Sequence, residues 1–392
     1  MSTSPQLFSP LTLRGVTLPN RIVLSPLCMY SGKDGVANDW HFAHLSTFAR
    51  GRVGLIFAEA TAVEPRGRIT PRCLGIWNDE QVEAFKPITA FIESMGSVPA
   101  IQLAHAGRKA SSHVPWMGGK HITAADAVPG EDPWPVVGPS ATAVAEGFQT
   151  PHQLTVEEIQ DLAQAFANAA VRSIAAGFKV IELHGAHGYL MHSFLSPLAN
   201  TRNDQYGGDI TGRMRFPLEV VDAVRKVIPE DMPLFFRISA IDGPAEGWTM
   251  DDSVVLGREL AARGVDVVDC SSGGIAGAPR FRSNDEGKPL ASPLDRGLGF
   301  QVPYAERVKA ESDIKTMAVG LIVDPQQAED ILVEGRADLV ALGRELMFNP
   351  FWALHAAQAL DHDPNFKMWP DQYAWGVFRR AQLANFKDVR TG

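Results

Sequence analysis

The chain is short of cysteine, of positive charge and of long apolar runs. Only three cysteines (Cys28, Cys73 and Cys270) occur in 392 residues. Their spacing suits no disulfide framework, zinc ribbon or iron–sulfur cluster, so a reducing, cytoplasmic compartment is expected. Lys and Arg number 36 against 45 Asp and Glu, a net charge of −9. Binding to nucleic acid needs clustered cations, so that partner is not expected. No run reaches the roughly 18 apolar residues of a membrane helix, so no membrane partner is expected either. Residues 1–10 lack the basic and apolar segments of a secretion signal. With 45% hydrophobic and 21% charged residues, the chain has material for a large core.

What is present is an alternation of short apolar runs with helical stretches. Strands are predicted at 22–25, 54–60, 98–103, 179–184, 233–239, 265–271, 316–319 and 338–342. Their nearly continuous Val, Ile, Leu and Phe content suits parallel strands buried on both faces. Helices are predicted at 79–94, 155–176, 213–227, 249–263, 302–311 and 325–334. Thr155 and Thr249 each precede acidic residues, and Asp324 precedes Pro325, as at helix starts. Eight strands without a GxGxxG motif after the first favour an α/β fold closed as a single (β/α)8 TIM barrel. Leu11 to Leu18 reads as an N-terminal hairpin at the barrel floor. The irregular stretch 105–150 is a long loop after strand three, and loops of that length usually serve function. The barrel is placed at 1–376, with 377–392 a C-terminal extension to which no role is assigned.

Active sites in this fold form at the C-terminal strand ends, and polar residues gather there. Strand one delivers Ser25, Pro26, Leu27, Cys28 and Tyr30; strand two delivers Ala60; strand three delivers Gln102 and His105. Strand four delivers His184, His187 and Tyr189, strand five Arg237, and strand six Ser271 to Gly274. Gly320 and Gly343 end the last two strands, and Arg344 opens a helix there. Such a corner suits an anion, although glycines at βα turns equally suit tight turns alone. For His184 and His187, packed core histidines and a pair of oxyanion donors both remain open. A metal is disfavoured, because the only close carboxylate, Glu182, lies back inside the strand. Cys28 alone reads as a small buried hydrophobe. Arg237 requires an anionic partner, either a protein carboxylate or a group that becomes negative. His41 and His44 fall on an amphipathic helix after strand one and read as structural.

With these residues in place, the sequence resembles the Old Yellow Enzyme family from about Leu7 to Trp375. The matching stretches are 20–22, 25–30, 59–60, 67–70, 102–109, 175–178, 184–189, 194–197, 206–208 and 349–350, with Asn200 and Arg202. Cys28, where many relatives carry threonine, is similar to the thermophilic-like branch of these FMN-dependent ene-reductases. The resemblance implies FMN as cofactor and NADPH, with NADH possible, as hydride donor. Ser25, Pro26, Leu27, Cys28, Ala60 and Gln102 would line the flavin, Arg237 would face its reduced, negative edge, and Gly320, Gly343 and Arg344 would hold its phosphate. His184 and His187 would bind the oxygen of an activated alkene, Tyr189 would donate a proton, and Tyr30 would touch substrate. A homodimer or higher homo-oligomer is implied, with Trp375 standing where some relatives send an arginine into a neighbouring subunit. Gly376 is expected to turn the chain sharply beside it. The alternatives are a flavin-binding barrel with lost or incidental activity, an iron–sulfur relative on the same barrel, and a barrel aldolase or dehydratase. Tyr189 with His184 and His187 argues against the first, the lack of a cysteine cluster against the second, and the third leaves Cys28 and Arg237 unexplained.

Overall fold

The structure, a computed structural model, describes residues 4–275 and 297–383. Eight parallel strands close a barrel in sequential order. They are β1 (Ile22–Leu24), β2 (Leu55–Ala62), β3 (Val98–Ala104), β4 (Val180–Gly185), β5 (Leu234–Ser239), β6 (Val267–Ser271), β7 (Lys315–Val319) and β8 (Leu339–Leu342). Outside them run α1 (Asp39–Arg50), α2 (Asp79–Ser94), α3 (Val156–Ala175), α4 (Ile210–Val227), α5 (Met250–Ala262), α6 (Val302–Ser312), α7 (Pro325–Val333) and α8 (Trp352–Ala359). The predicted helix starts hold. Thr155 accepts from Glu158 N–H, Thr249 from Asp252 N–H, and Asp324 from Gln326 and Gln327 N–H. Each cap satisfies backbone donors that the first turn leaves unpaired. The fourth helix begins earlier than the expected 213, at Ile210, because Asp209 caps it through Gly212 N–H.

Two apolar layers explain why the strands read as unbroken hydrophobic runs. Ile22, Ile56, Ile181, Phe236, Val268 and Val340 face the helices, whereas Val23, Leu55, Ala100, Val180, Phe235, Val267, Met317 and Leu339 fill the barrel. The period of two is present but both faces are apolar. Leu11–Leu13 and Val16–Leu18 pair antiparallel, and Leu11, Leu13 and Leu18 join the inner cluster, so the hairpin closes the floor. Burying each such side chain contributes on the order of 2 kcal/mol. With the floor sealed and the interior filled, the end of the barrel left open to a ligand is the opposite one, at the C-terminal strand ends. No helix among the described residues is long and apolar enough to cross a membrane.

Beyond the barrel, α9 (Asp371–Ala381) runs through Gly376, which has no left-handed φ. The expected sharp turn at Gly376 is therefore wrong: the flanking residues sustain a helix and a lone glycine does not stop it. No element boundary falls at residue 376, and 384–392 of the expected extension lie outside the described residues.

Candidate active site

The inward positions of each strand advance by two, and near the mouth they change from apolar to polar. Ala100 is followed by Gln102, Val180 by Glu182 and then His184, Phe235 by Arg237 and then Ser239, and Val267 by Asp269 and then Ser271. Strand register sets these groups side by side: Gln102 pairs with Glu182, and Arg237 pairs with both His184 and Asp269. Gln102 Nε2 donates to Glu182 Oε1 at 2.8 Å, and Arg237 Nη1 donates to Ser25 Oγ at 3.0 Å. Asp269 Oδ2 lies 3.2 Å from Arg237 Nη1. Burial, then the nearby Asp269 charge, pushes the Glu182 carboxyl well above its ordinary value. In β2 the register slips between Ala58 and Ala60, so Glu59 occupies a bulge. Bulges of this kind re-aim a side chain beside a site. Glu59 Oε2 accepts the Met29 N–H and fixes the exit of β1, with Cys28 and Tyr30 on either side. The Cys28 thiol meets the Ala60 backbone and the Tyr30 side chain, and burial followed by the Glu59 charge pushes its pKa well up.

Beyond β4 the chain makes a left-handed turn. His187 has φ +61° and Gly188 φ +75°, a costly conformation for histidine that needs external support. That support is dense. Ser239 Oγ accepts His187 N–H at 2.9 Å, Lys109 Nζ donates to His187 O at 2.7 Å, and His192 Nδ1 accepts Gly188 N–H at 2.8 Å. The turn brings His187 Nδ1 to 3.4 Å from His184 Nε2, and Tyr189 edge-on to His184 with ring centroids 5.0 Å apart. Burial, then Arg237, holds both imidazoles well below the ordinary histidine value, so both are neutral. His184 Nδ1 accepts Ala186 N–H at 3.4 Å, leaving the proton on Nε2. With Ser271 Oγ 2.8 Å from His187 Nε2, both rings can direct an N–H toward one shared point. Burial, then Cys28, raises the Tyr189 phenol far above its ordinary range, so it stays protonated.

Comparison with known proteins gives the family of the chain. Residues 6–363 match the NADH:flavin oxidoreductase / NADH oxidase family. The chain belongs to that family. It is an FMN-dependent oxidoreductase that draws hydride from a reduced nicotinamide, in line with the Old Yellow Enzyme resemblance. An NADPH dehydrogenase of Geobacillus sp. (strain WCH70) is 46% identical over 356 residues, 90% of this chain and 94% of the relative. Among solved structures, morphinone reductase in complex with tetrahydroNAD is 28% identical with TM-score 0.71, over 91% of each chain. A 2-naphthoyl-CoA reductase complex has TM-score 0.78 at 22% identity, covering 92% of this chain and 53% of that one, and shows the shared fold.

Within this family member, the expected residues of strands one to six meet at one mouth. Gly320 (φ +117°) and Gly343 terminate the neighbouring strands β7 and β8, and Arg344 opens the short helix Arg344–Phe348. Trp375 is set apart on α9: its Nε1 donates to Gln372 O, Arg379 lies 5.5 Å from its ring, and 64% of its surface is exposed. Its described partners, Gln372 and Arg379, both belong to α9. Asp269 and Lys109 were missed at the sequence level. Asp269 carried a weaker signal than Arg237, because the predicted strand 265–271 also holds Asp266, whereas Arg237 is the one charge in 233–239. Lys109 stood in a matched stretch, but nothing local tied it to His187, which is 78 residues away.

Proposed function

We propose that this protein reduces the C=C bond of α,β-unsaturated carbonyls, maleimides or nitroalkenes with NADPH as the physiological donor. The observation that carries the reading is the placement of two neutral imidazoles, 3.4 Å apart, beside one protonated phenol. A single substrate oxygen can accept from His184 Nε2 and His187 Nδ1 together. Donors aimed at developing oxyanion charge can each be worth about 3 kcal/mol. Tyr189 then supplies the proton to the α-carbon, and Tyr30 bounds the substrate on the β1 side. The name of the 46% identical relative supports NADPH over NADH.

The mouth also fits FMN. Arg237 Nε has no acceptor among the described residues, a demand that an anionic ring edge satisfies. Ser25, Pro26, Leu27, Cys28, Ala60 and Gln102 would line the ring, while Gly320, Gly343 and Arg344 would take the phosphate. Bound FMN supplies the hydride that the β-carbon receives. The working form is a cytoplasmic homo-oligomer in this reading, supported by three free cysteines and by the exposed Trp375.

The test separates proton donation from binding. The purified protein should be yellow, bleach anaerobically with NADPH and recolour with cyclohexenone. Tyr189→Phe should keep the bleaching rate and slow recolouring by about 100-fold or more, the scale of a lost general acid. Equal slowing of both steps would assign Tyr189 to something other than protonation.

A further inference from the structure

The turn Pro115–Met117 carries an aromatic that the site described so far does not use. Trp116 has 65% of its surface exposed, yet its ring meets Tyr30 edge-on, with centroids 5.9 Å apart at 76°. Tyr30 itself is held at φ +49°, two residues past Cys28 at the exit of β1. The stem below the turn is fixed. His113 N–H donates to Lys120 O at 2.8 Å, Ser112 and His121 form an antiparallel bridge, and Val114 is buried. His121 Nδ1 accepts Gln149 N–H at 2.7 Å, tying this stem to the far end of the long loop. The tip is less constrained. Gly118 and Gly119 are consecutive left-handed glycines, and a Cβ on Gly118 would meet nothing within 4 Å.

A fixed stem with an open tip holds an indole at the rim while leaving it room to adjust. The edge-on contact sets Trp116 beside Tyr30 with most of the indole surface open. We propose that Trp116 is a specificity-determining residue, whose open indole surface receives a flat aromatic substituent at the distal end of the substrate. The class favoured is therefore aryl-substituted enones and related conjugated rings over small cyclic enones. Offset or edge-to-face pairing with Trp116 and Tyr30 would supply the preference. This rests on reading His184, His187 and Tyr30 as the carbonyl-binding site, and it adds what lies beyond the reacting bond.

The experiment uses FMN-loaded protein and two phenols that place an oxygen on His184 and His187. One is phenol itself; the other is 4-phenylphenol, which carries a second ring outward. Binding is followed by the long-wavelength absorbance that phenols give over oxidised flavin. Trp116→Ala should weaken 4-phenylphenol about tenfold and leave phenol within about twofold, while Trp116→Phe should recover most of the loss. Equal changes for both phenols, or none for either, overturn the inference and leave the carbonyl site standing. A wild-type protein that binds neither phenol overturns the carbonyl site and this inference together. Size-exclusion chromatography supplies the remaining check. A change of oligomeric state in Trp116→Ala would make the indole an intersubunit contact and overturn its role toward substrate.

Discussion

Arg237 and Asp269 occupy the same rung of neighbouring strands, with Nη1 3.2 Å from Oδ2. The pair is close but poorly aligned: neither Asp269 oxygen has a hydrogen-bond donor among the described residues, and Arg237 Nε has no acceptor. The guanidinium is thus only partly neutralised from within the barrel. That suits a site which must receive further negative charge, because a fully paired arginine would offer less to a ligand.

The first prediction follows from the Asp269 carboxyl, which burial pushes up to about 6 against the opposing pull of Arg237. A folded value above the unfolded one means that the folded chain keeps a proton which the unfolded chain has already released. Asp269 therefore favours folding in acid, and that contribution is lost as pH rises through about 6. Asp269→Asn should flatten this part of the profile. The difference in urea midpoint between variant and wild type should shift in favour of the variant from about pH 4 to pH 7. Parallel profiles would place the titration elsewhere, with Glu182 the next group to test.

A second prediction concerns His184 and His187. Both are depressed by burial and by Arg237, so they stay neutral as pH falls through the ordinary histidine value. The KM for cyclohexenone should be flat between pH 8 and pH 6. Replacing both with Ala should raise it about tenfold or more, since each lost donor to a desolvated oxygen costs roughly 1–3 kcal/mol. The sign for stability is opposite to that of Asp269. Unfolding lets both rings take up protons below about 6.5, so they destabilise the fold as pH drops, and the Ala variant should be less acid-sensitive. An inflection near pH 6.5 in wild-type KM, absent from the variant, would show that the imidazoles titrate and defeat the neutral-donor argument.

Much of this was legible in the sequence because strand exits carry their own signals. Eight apolar runs, the capped helix starts and Arg237 leaving an apolar strand each depend on residues close together in the chain. Cross-strand register does not. Phe235 and Phe236 are both fully buried, so no alternation showed which of them faced the barrel, and Asp269 could not be set opposite Arg237. The left-handed turn at His187 was also hidden, since its supports come from Ser239, Lys109 and His192 on three different segments. Gly376 misled for a local reason: glycine marks turns more often than it sits inside helices, and here the helix continues.

The last prediction concerns Trp375. Its neighbour Tyr373 is tied to the barrel, with its hydroxyl accepting from Arg50 Nη1 at 2.8 Å and its ring edge-on to Phe351. Trp375 is not tied in this way; its described partners, Gln372 and Arg379, belong to its own helix. A large aromatic held out from the surface by an anchored helix suits contact with a second copy of the chain. Trp375→Ala should leave the melting temperature of the barrel little changed, because no buried contact within the chain is lost. If the indole shapes the substrate site of a neighbouring subunit, KM should rise for bulky enones about fivefold or more and hardly at all for cyclohexenone. Flavin content should remain normal. Mixing decides between subunits. Trp375→Ala protein is exchanged with a partner carrying Tyr189→Phe and His184→Ala, which is inactive but has an intact tail. Each heterodimer then holds one functional barrel facing one intact Trp375, and wild-type kinetics for bulky enones should return in that site. If subunits exchange and the kinetics stay those of Trp375→Ala, the indole acts within its own chain and the shared-site reading fails.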